Sequence, residues 1–457
     1  MVRFAVSGND KHQRLRYQPD EIFNIVYSRH CAPSLHFDSL SLPSAVSNWS
    51  YYFVESRLEL DPADEELSST KNGQAHLTAV GDHTFDRESS PFRSGRVVCH
   101  PPHPSPFNCH KAPFILLNHA VPSSSPVLNR RSRVFLKLDN LQPAGSFKSR
   151  GIGNYILRRA AERHGQPIHF YAASGGNAGI ACVHAAKSLG YPATVVIPRT
   201  AKPAMVRKLR AMGATEVIQY GASIAEAQQH IQTVLLPLDP TGVFVPPFDH
   251  PDIWDGNATI MSEIAVQLGG KPDVVVCSIG GGGLINGIMQ VLDDNGWSED
   301  VQVLAMETKG ADSLNQSLLA GELVTLPRIT SQATSLGVVR VSERTFEYAR
   351  RPNVTSLVLS DAEAARGCCL LAEHERMMVE LTVGVNVPVC YDGLLQRVLG
   401  SRKALDKSSK VVIVVCGGND ISVEMLMDWY RTTLTEEDLQ EKTIATVPRP
   451  ASTKLAA

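Results

Sequence analysis

Ser146-Phe147-Lys148-Ser149-Arg150-Gly151 follows a strand-like apolar run, Val134-Phe135-Leu136-Lys137-Leu138, and a turn at Pro143-Ala144-Gly145. The hexapeptide is predicted to open a helix that continues through residues 155–157. A lysine in this place lies at a rigid junction of strand, turn and helix, where enzymes hold amines that form imines. The positive end of the helix dipole disfavours a cation there, so the pattern favours a chemical role for Lys148 over a surface one.

The composition is that of an ordinary globular chain. Its 457 residues are 43% hydrophobic and 20% charged, and the formal net charge is -2. This length is enough for two domains and an extension. The near-neutral charge gives no reason to expect binding to nucleic acid or to a membrane surface, and no apolar stretch approaches transmembrane length.

The cysteines and the start of the chain bear on its compartment. The nine cysteines are scattered and contain no CxxC pair, which is typical of reduced thiols. The first ten residues turn polar too soon for the apolar core of a signal peptide. We therefore expect a cytoplasmic protein.

The chain divides into two parts with different sequence patterns. Residues 1–111 lack sustained periodicity and are rich in Ser, Pro, His and Asp, so we expect a weakly ordered N-terminal extension. From residue 112 onward strands and helices alternate, which predicts an α/β fold with mainly parallel sheets and ligands at the carboxyl ends of the strands. Residues 438–457 are expected to form a flexible tail. The predicted strands include 168–172, 193–197, 216–220, 274–278, 301–306 and 410–415, and the predicted helices 178–189, 202–212, 223–236, 284–292 and 421–429.

Two glycine-rich loops follow predicted strands. Ser174-Gly175-Gly176-Asn177 precedes a helix, where backbone amides bind anions such as a carboxylate and an Asn amide reaches a ligand at close range. Gly280-Gly281-Gly282-Gly283-Leu284 also precedes a helix, and its amides would cradle a phosphate. It is neither a P-loop nor a dinucleotide fingerprint, because the Gly-Lys-Ser/Thr and the acidic residue of those motifs are missing. A plain turn is the alternative for each loop.

A fourth loop, Cys416-Gly417-Gly418-Asn419, follows the strongest β run of the chain. By itself such a cysteine is more often a packing residue. In this order, however, the four loops resemble those of the fold-type-II pyridoxal-phosphate enzymes, and most of all the eukaryotic L-serine/L-threonine dehydratases. The resemblance covers about residues 130–430 and includes the segment from Pro247 to Gly256.

The resemblance implies an architecture. It implies two three-layer αβα domains with mainly parallel sheets, similar to the tryptophan synthase β subunit, with pyridoxal 5'-phosphate in the cleft between them. The large, cofactor-binding domain would comprise residues 112–145 and 246–437, and the small domain residues 146–245. Relatives also suggest a homodimer that acts on a free amino acid.

The resemblance also assigns roles to residues. Lys148 would hold the cofactor aldehyde as an imine and act as a catalytic base, Phe147 would pack against the pyridine ring, and Asn177 would bond the ring hydroxyl oxygen. The phosphate would bind to the loop of Gly280, Gly281, Gly282, Gly283 and Leu284. The substrate carboxylate would bind to Ser174, Gly175, Gly176 and Asn177. Glu263 would help to bind a K+ or Mg2+ ion, although a solvated helix acid is the alternative for that residue.

Cys416 would face the pyridine nitrogen, and its chemistry indicates the reaction. A carboxylate there would keep the ring nitrogen protonated and make the ring a deep electron sink. A thiol, with an ordinary pKa of about 8.5, does not stabilise a pyridinium in that way. Prompt loss of a β-leaving group is then favoured, so we expect an L-serine ammonia-lyase that forms pyruvate and ammonia, and 2-oxobutanoate from L-threonine.

Four other interpretations stay open. A serine racemase shares the tetraglycine loop and would need a second acid/base, for which Ser174 is the candidate. A cysteine- or cystathionine-synthase activity and a catalytically inactive relative are less favoured by the motifs. The fourth interpretation is a zinc-binding module, because Cys99-His100, His103 and Cys109-His110 contain zinc ligands, but their spacing does not match a zinc finger.

The segment from Val379 to Val385 stands where many relatives have Glu-Pro and small residues, which bears on substrate preference.

Overall fold

The computed structural model describes residues 112–116, 132–391, 393–400, 402–433 and 445–446. The predicted extension at 1–111 and its Cys/His pairs lie outside the described residues, as does the tail apart from 445–446. The domain boundaries given above stay a prediction. Within the described residues, no helix is both long and apolar enough to cross a bilayer.

The described strands form two sheets. In chain order they are β1 (Phe114–Leu116), β2 (Ser132–Lys137), β3 (His169–Ala172), β4 (Ala193–Ile197), β5 (Glu216–Gln219), β6 (Gly242–Phe244), β7 (Val274–Ser278), β8 (Gln302–Thr308), β9 (Val354–Leu359), β10 (Ser409–Val414) and β11 (Ala445–Thr446). The larger sheet has the order β1-β2-β10-β7-β8-β9-β11 and the smaller sheet β5-β4-β3-β6. The pairings are parallel except those of β1 with β2 and of β11 with β9, at the two edges of the larger sheet.

Helices connect most of the parallel strands. In chain order the described helices are α1 (Lys148–Glu162), α2 (Asn177–Ser188), α3 (Pro203–Met212), α4 (Ile224–His230), α5 (Leu236–Leu238), α6 (Pro251–Leu268), α7 (Gly283–Asp294), α8 (Ser313–Ala320), α9 (Glu343–Ala349), α10 (Asp361–Glu375), α11 (Leu381–Gly384), α12 (Leu394–Leu399) and α13 (Val423–Thr433). A π-helical segment at Ile231–Leu235 joins α4 to α5, and short 3-10 turns lie at Asp139–Leu141, Thr334–Leu336 and Pro388–Cys390.

The central strands are covered on both faces. Every residue of β7 and β8 in the larger sheet is buried, and so is every residue of β4 in the smaller one. Successive side chains of a strand point to opposite faces, so a strand buried throughout needs a layer on each side. The fold is therefore the predicted α/β class, with helices covering mainly parallel sheets.

The predicted elements agree closely with the structure where a strand is continuously apolar. β4 and β7 have the predicted bounds, and the predicted helix after each glycine-rich loop is present. The prediction did not include α6, which begins where His250 accepts a hydrogen bond from the Asp252 N–H and where Pro251 fits the first turn. It also did not include β9 and α10, which lie between the last two loops of the site.

The strand order explains why distant loops meet. β10 lies between β2 and β7 and runs parallel to both. Parallel neighbours end at the same edge of a sheet, so the segments that follow these three strands converge there. They carry Lys148, the Cys416 loop and the four glycines.

Candidate active site

Lys148 is the first residue of α1; the residue is half-buried, and its amine is desolvated. The Nζ atom donates a hydrogen bond of 2.5 Å to the carbonyl oxygen of Pro247 and lies 5.1 Å from the centre of the Phe147 ring. Burial lowers the pKa of Lys148 to about 8. A free amine is therefore accessible near neutral pH, which a nucleophile or a base requires. Phe147 itself packs against the core of the larger sheet.

The Lys148 segment is bonded to the Cys416 loop. The Phe147 N–H donates to the Cys416 carbonyl oxygen at 2.8 Å, and the Gly418 N–H donates to the Gly145 carbonyl oxygen at 3.2 Å. The Cys416 Sγ atom lies 3.8 Å from the Ser278 Oγ at the end of β7. Burial raises the pKa of Cys416, so the thiol is neutral across the physiological range.

The four glycines connect β7 to α7, and the first residue of α7 is Gly283. A Cβ atom on Gly281 would lie 2.3 Å from the Phe248 ring, next to the Pro247 carbonyl that accepts from Lys148. Gly282 has a φ of 96°, and a Cβ there would lie 1.7 Å from the Thr345 Oγ1. Both positions therefore need glycine, and the loop presents backbone at the start of a twelve-residue helix. Leu284 is buried in the core beneath it.

Asn177 begins α2, and its side chain is almost fully buried. Its Nδ2 atom donates to the Glu380 Oε1 at 2.9 Å, and its Oδ1 atom accepts from the Asn419 Nδ2 at 2.8 Å. A Cβ atom on Gly417 would lie 3.3 Å from the Asn177 Nδ2 and 3.3 Å from the Ser146 Cβ. The structure thus brings Asn177 against the loops of Lys148 and Cys416.

The remainder of the Ser174 loop is half-buried, and the space next to Gly176 is open. The Ser174 Oγ accepts from the Gly176 N–H at 3.3 Å, so its described partner lies within the loop. A Cβ atom on Gly175 would lie 3.1 Å from the Met205 Cγ. The loop leaves the first amides of α2, a twelve-residue helix, at the same edge as Asn177.

Glu263 lies in a network of ion pairs, and its predicted role in binding a cation stays a prediction. Its carboxylate accepts from the Lys137 Nζ at 2.5 Å and from two nitrogens of Arg150 at 2.7 and 2.9 Å. Arg150 also holds the buried Asp139 through two hydrogen bonds, at 2.7 and 3.0 Å. Burial alone would raise the pKa of Glu263, but the Arg150 and Lys137 charges lower it. Glu263 is thus part of an ion-pair network that fixes the first turn of α1 to α6.

Glu380 was not among the predicted site residues, although the segment that contains it was noted. Its carboxylate is buried, accepts from Asn177 and from the Asp420 N–H at 3.2 Å, and has a pKa that burial raises to about 7. The local signal was weak, because only the fold brings Glu380 to a partner 203 residues away in the chain.

The chain matches known proteins over the part that carries this site. Residues 119–417 match the family model described as pyridoxal-phosphate dependent enzyme. The rat protein named serine dehydratase-like is 43% identical over 295 residues, which are 65% of this chain and 88% of that one. Human L-serine dehydratase/L-threonine deaminase is 39% identical over 293 residues, or 64% of this chain and 88% of the human protein.

A solved structure gives the same result. The crystal structure of a fungal L-serine ammonia-lyase from Rhizomucor miehei is 34% identical and covers 71% of this chain and 99% of its own, with a TM-score of 0.63. The family model spans more than half of this sequence, and the relatives align over most of their own length. The chain therefore belongs to the family of fold-type-II pyridoxal-phosphate-dependent enzymes that includes the L-serine dehydratases.

Proposed function

We propose that the protein catalyses the β-elimination of L-serine to pyruvate and ammonia, and of L-threonine to 2-oxobutanoate. The observation that carries the proposal is the pairing of a buried lysine amine, Lys148, with a neutral thiol, Cys416, on a bonded neighbouring loop. The relatives named L-serine dehydratase and the fungal L-serine ammonia-lyase support the same reaction.

The residues of the site fit pyridoxal phosphate. Side chains are excluded at Gly281 and Gly282, which leaves backbone amides at the start of α7 for a phosphate. The Lys148 amine is desolvated, which favours the unprotonated form that attacks an aldehyde, and the adjacent Ser146 Oγ is buried without a described protein partner. We propose that Gly280–Gly283 with Leu284 hold the phosphate, and that Lys148, Phe147, Asn177 and Cys416 hold the ring.

The reaction then follows from the chain's own groups. When bound, pyridoxal phosphate supplies an aldehyde for amines and a ring that withdraws electrons from the substrate Cα. The amides at the start of α2, in the loop from Ser174 to Asn177, bind and orient the substrate carboxylate. The Lys148 Nζ takes the proton from Cα, because its pKa near 8 leaves a useful fraction unprotonated at neutral pH. The uncharged Cys416 thiol offers no anion to a protonated ring nitrogen, which favours prompt loss of the β-hydroxyl. The Cα proton and the β-hydroxyl together leave as water, and the released 2-aminoacrylate is hydrolysed to pyruvate and ammonia.

The test uses the full chain purified with pyridoxal phosphate. We expect a visible imine absorbance, pyruvate from L-serine and 2-oxobutanoate from L-threonine. Lys148→Ala should lose both the absorbance and at least about a hundredfold of the activity. Lys187→Ala is the matched control, since Lys187 is an exposed lysine that bonds only the Met212 carbonyl among its described partners. Imine absorbance with D-serine in place of pyruvate would instead establish a racemase, for which Ser174 is the candidate second acid/base.

We further propose a K+ or Mg2+ ion with Glu263 as one of its ligands, as the resemblance implies. Lys137 and Arg150 already bond the Glu263 carboxylate, so the ion would compete with these two cationic side chains. Activity that is unchanged when K+ and Mg2+ are replaced by a bulky organic cation would contradict this proposal.

The assembly and the compartment are also proposals. The resemblance supports a homodimer, and the scattered cysteines without a CxxC pair support a cytoplasmic location. Sedimentation of the purified protein tests the first, and imaging of a C-terminally tagged chain in cells tests the second.

A further inference from the structure

The Asn177 side chain is held at both ends by groups that distinguish its oxygen from its nitrogen. The Asn177 Nδ2 atom donates to the Glu380 Oε1 atom at 2.9 Å, so the amide nitrogen is the atom that faces Glu380. The oxygen then faces the Asn419 Nδ2 at 2.8 Å. If the amide rotated by 180°, its oxygen would face the Glu380 oxygen and its nitrogen would face the Asn419 nitrogen, so both hydrogen bonds would be lost.

Asn419 is fixed in turn. Its Nδ2 atom also donates to the Ala144 carbonyl oxygen at 2.6 Å, and its Oδ1 atom accepts from the Lys208 Nζ at 2.9 Å. The same ammonium bonds the Asn419 carbonyl oxygen at 3.1 Å. Lysine has donors and no acceptor, so it selects the orientation of the Asn419 amide, which then selects that of Asn177.

The bonds alternate between the two sheets. Lys208 lies on α3 and Asn177 begins α2, both of which belong to the segment around the smaller sheet. Asn419 follows β10 of the larger sheet, and Glu380 precedes α11. The chain from Lys208 through Asn419 and Asn177 to Glu380 therefore forms only when the two parts are packed together.

One donor of Asn177 remains for a ligand. The Nδ2 atom carries two hydrogens, of which Glu380 takes one. The other described contact of this nitrogen is the Ser335 Oγ at 3.4 Å, close to the limit for a hydrogen bond. A bonded amide with one hydrogen to spare is pre-organised for an acceptor oxygen.

We propose that Lys208, Asn419 and Glu380 are positioning residues that orient the Asn177 amide so that its second N–H binds the ring oxygen of pyridoxal phosphate. This inference rests on the proposed role of Asn177 in cofactor binding, and it does not depend on the substrate.

The experiment is a double-mutant cycle on cofactor affinity. The cofactor-free full-length chain is titrated with pyridoxal phosphate, and the dissociation constant is measured for Asn419→Ala, Asn177→Ala and the double variant. Loss of one net hydrogen bond corresponds to roughly a fivefold weaker equilibrium. We expect each single variant to weaken binding by about that factor or more, and the double variant to bind no more weakly than Asn177→Ala.

A milder variant tests the same chain of hydrogen bonds at a residue that does not contact the cofactor. Lys208→Met removes the ammonium that orients Asn419, and we expect it to weaken binding several-fold and to lose this effect in the Asn177→Ala background. Lys187→Met is the matched control, because it removes an equal charge from α2 and should leave the dissociation constant unchanged.

Two results would overturn the inference. If the effects of Asn419→Ala and Asn177→Ala multiply fully, Asn419 acts on the cofactor independently of Asn177. If Asn177→Ala binds pyridoxal phosphate like the wild type, Asn177 does not contribute to cofactor binding, and its partners cannot act through it. Neither result depends on serine turnover, so a failure of the proposed reaction is recognised separately in the pyruvate assay.

Discussion

The main-chain N–H of Phe147 donates a hydrogen bond of 2.8 Å to the carbonyl oxygen of Cys416. The bond ties the residue before Lys148 to the second residue after β10, across the neighbouring strands β2 and β10. The loops of the amine and of the thiol are thus bonded to each other, and a change on either loop is expected to affect the other.

The buried amine of Lys148 predicts a pH dependence of cofactor loading. Imine formation needs the unprotonated amine, and a lysine with a pKa near 8 is mostly unprotonated above that pH. The rate constant for the appearance of the imine absorbance should rise about tenfold per pH unit below 8 and level off above it. Stopped-flow mixing of cofactor-free protein with pyridoxal phosphate between pH 6 and 10 measures this. A rate that keeps rising to pH 10, as for an ordinary lysine, would contradict the prediction.

The neutral thiol of Cys416 predicts an effect of charge on the reaction. Cys416→Asp would place a carboxylate where we propose the ring nitrogen to lie, so the ring would gain a proton and become a deeper electron sink. We expect pyruvate formation to fall at least tenfold, which is about 1.4 kcal/mol in the barrier, with more transamination as a side reaction. Cys416→Ser is the conservative control and should retain most of the activity. Equal activity of the Asp and Ser variants would contradict the proposed effect of charge at position 416.

The ion-pair network of Arg150 predicts a large loss of stability. The side chains of Arg150 and Asp139 are almost fully buried, and Arg150 also bonds Glu263. Arg150→Met would leave the Asp139 carboxylate buried without its cation, which costs about 3–5 kcal/mol in the free energy of unfolding. Urea denaturation measures this. Arg344→Met is the matched control, since the exposed pair of Arg344 with Glu347 should contribute less than about 1 kcal/mol.

The raised pKa of Glu380 predicts a pH-dependent difference in stability. In the folded, cofactor-free chain Glu380 keeps its proton up to about pH 7, whereas in the unfolded chain it ionises near its ordinary 4.5. The folded state then binds more protons between these values, so its stability falls as the pH rises through this window. Glu380→Gln removes this dependence on pH. Its free energy of unfolding, relative to that of the wild type, should therefore rise by up to roughly 3 kcal/mol between pH 5 and 7.5. Parallel pH profiles of the two proteins in urea denaturation would show that Glu380 does not titrate there.

The loops of the site could be predicted because each follows a continuous apolar strand. β7 and the four glycines are adjacent in sequence, and so are β10 and Cys416, so local patterns are enough to place them. The same holds for the bounds of β4 and β7, which are fully buried and therefore apolar throughout.

The partners of these loops could not be predicted, because they depend on tertiary contacts. Glu380 meets Asn177 from 203 residues away, and Arg150 meets Glu263 from 113 residues away. No spacing in the sequence reveals that a carboxylate on α6 faces two cations. The ion-pair network was therefore missed, and the role of Glu380 appeared only with the fold.

The position of β10 has a consequence for how the protein is made. β10 spans Ser409–Val414 and inserts between β2 and β7, which precede it by well over a hundred residues. Until β10 has been synthesised, β2 and β7 share no neighbouring strand, and Lys148 does not yet have the Cys416 thiol beside it. Contacts of such long sequence separation slow folding. Nascent chains that end before β10 should accordingly need protection from chaperones, and cofactor capture should be among the last events of biogenesis.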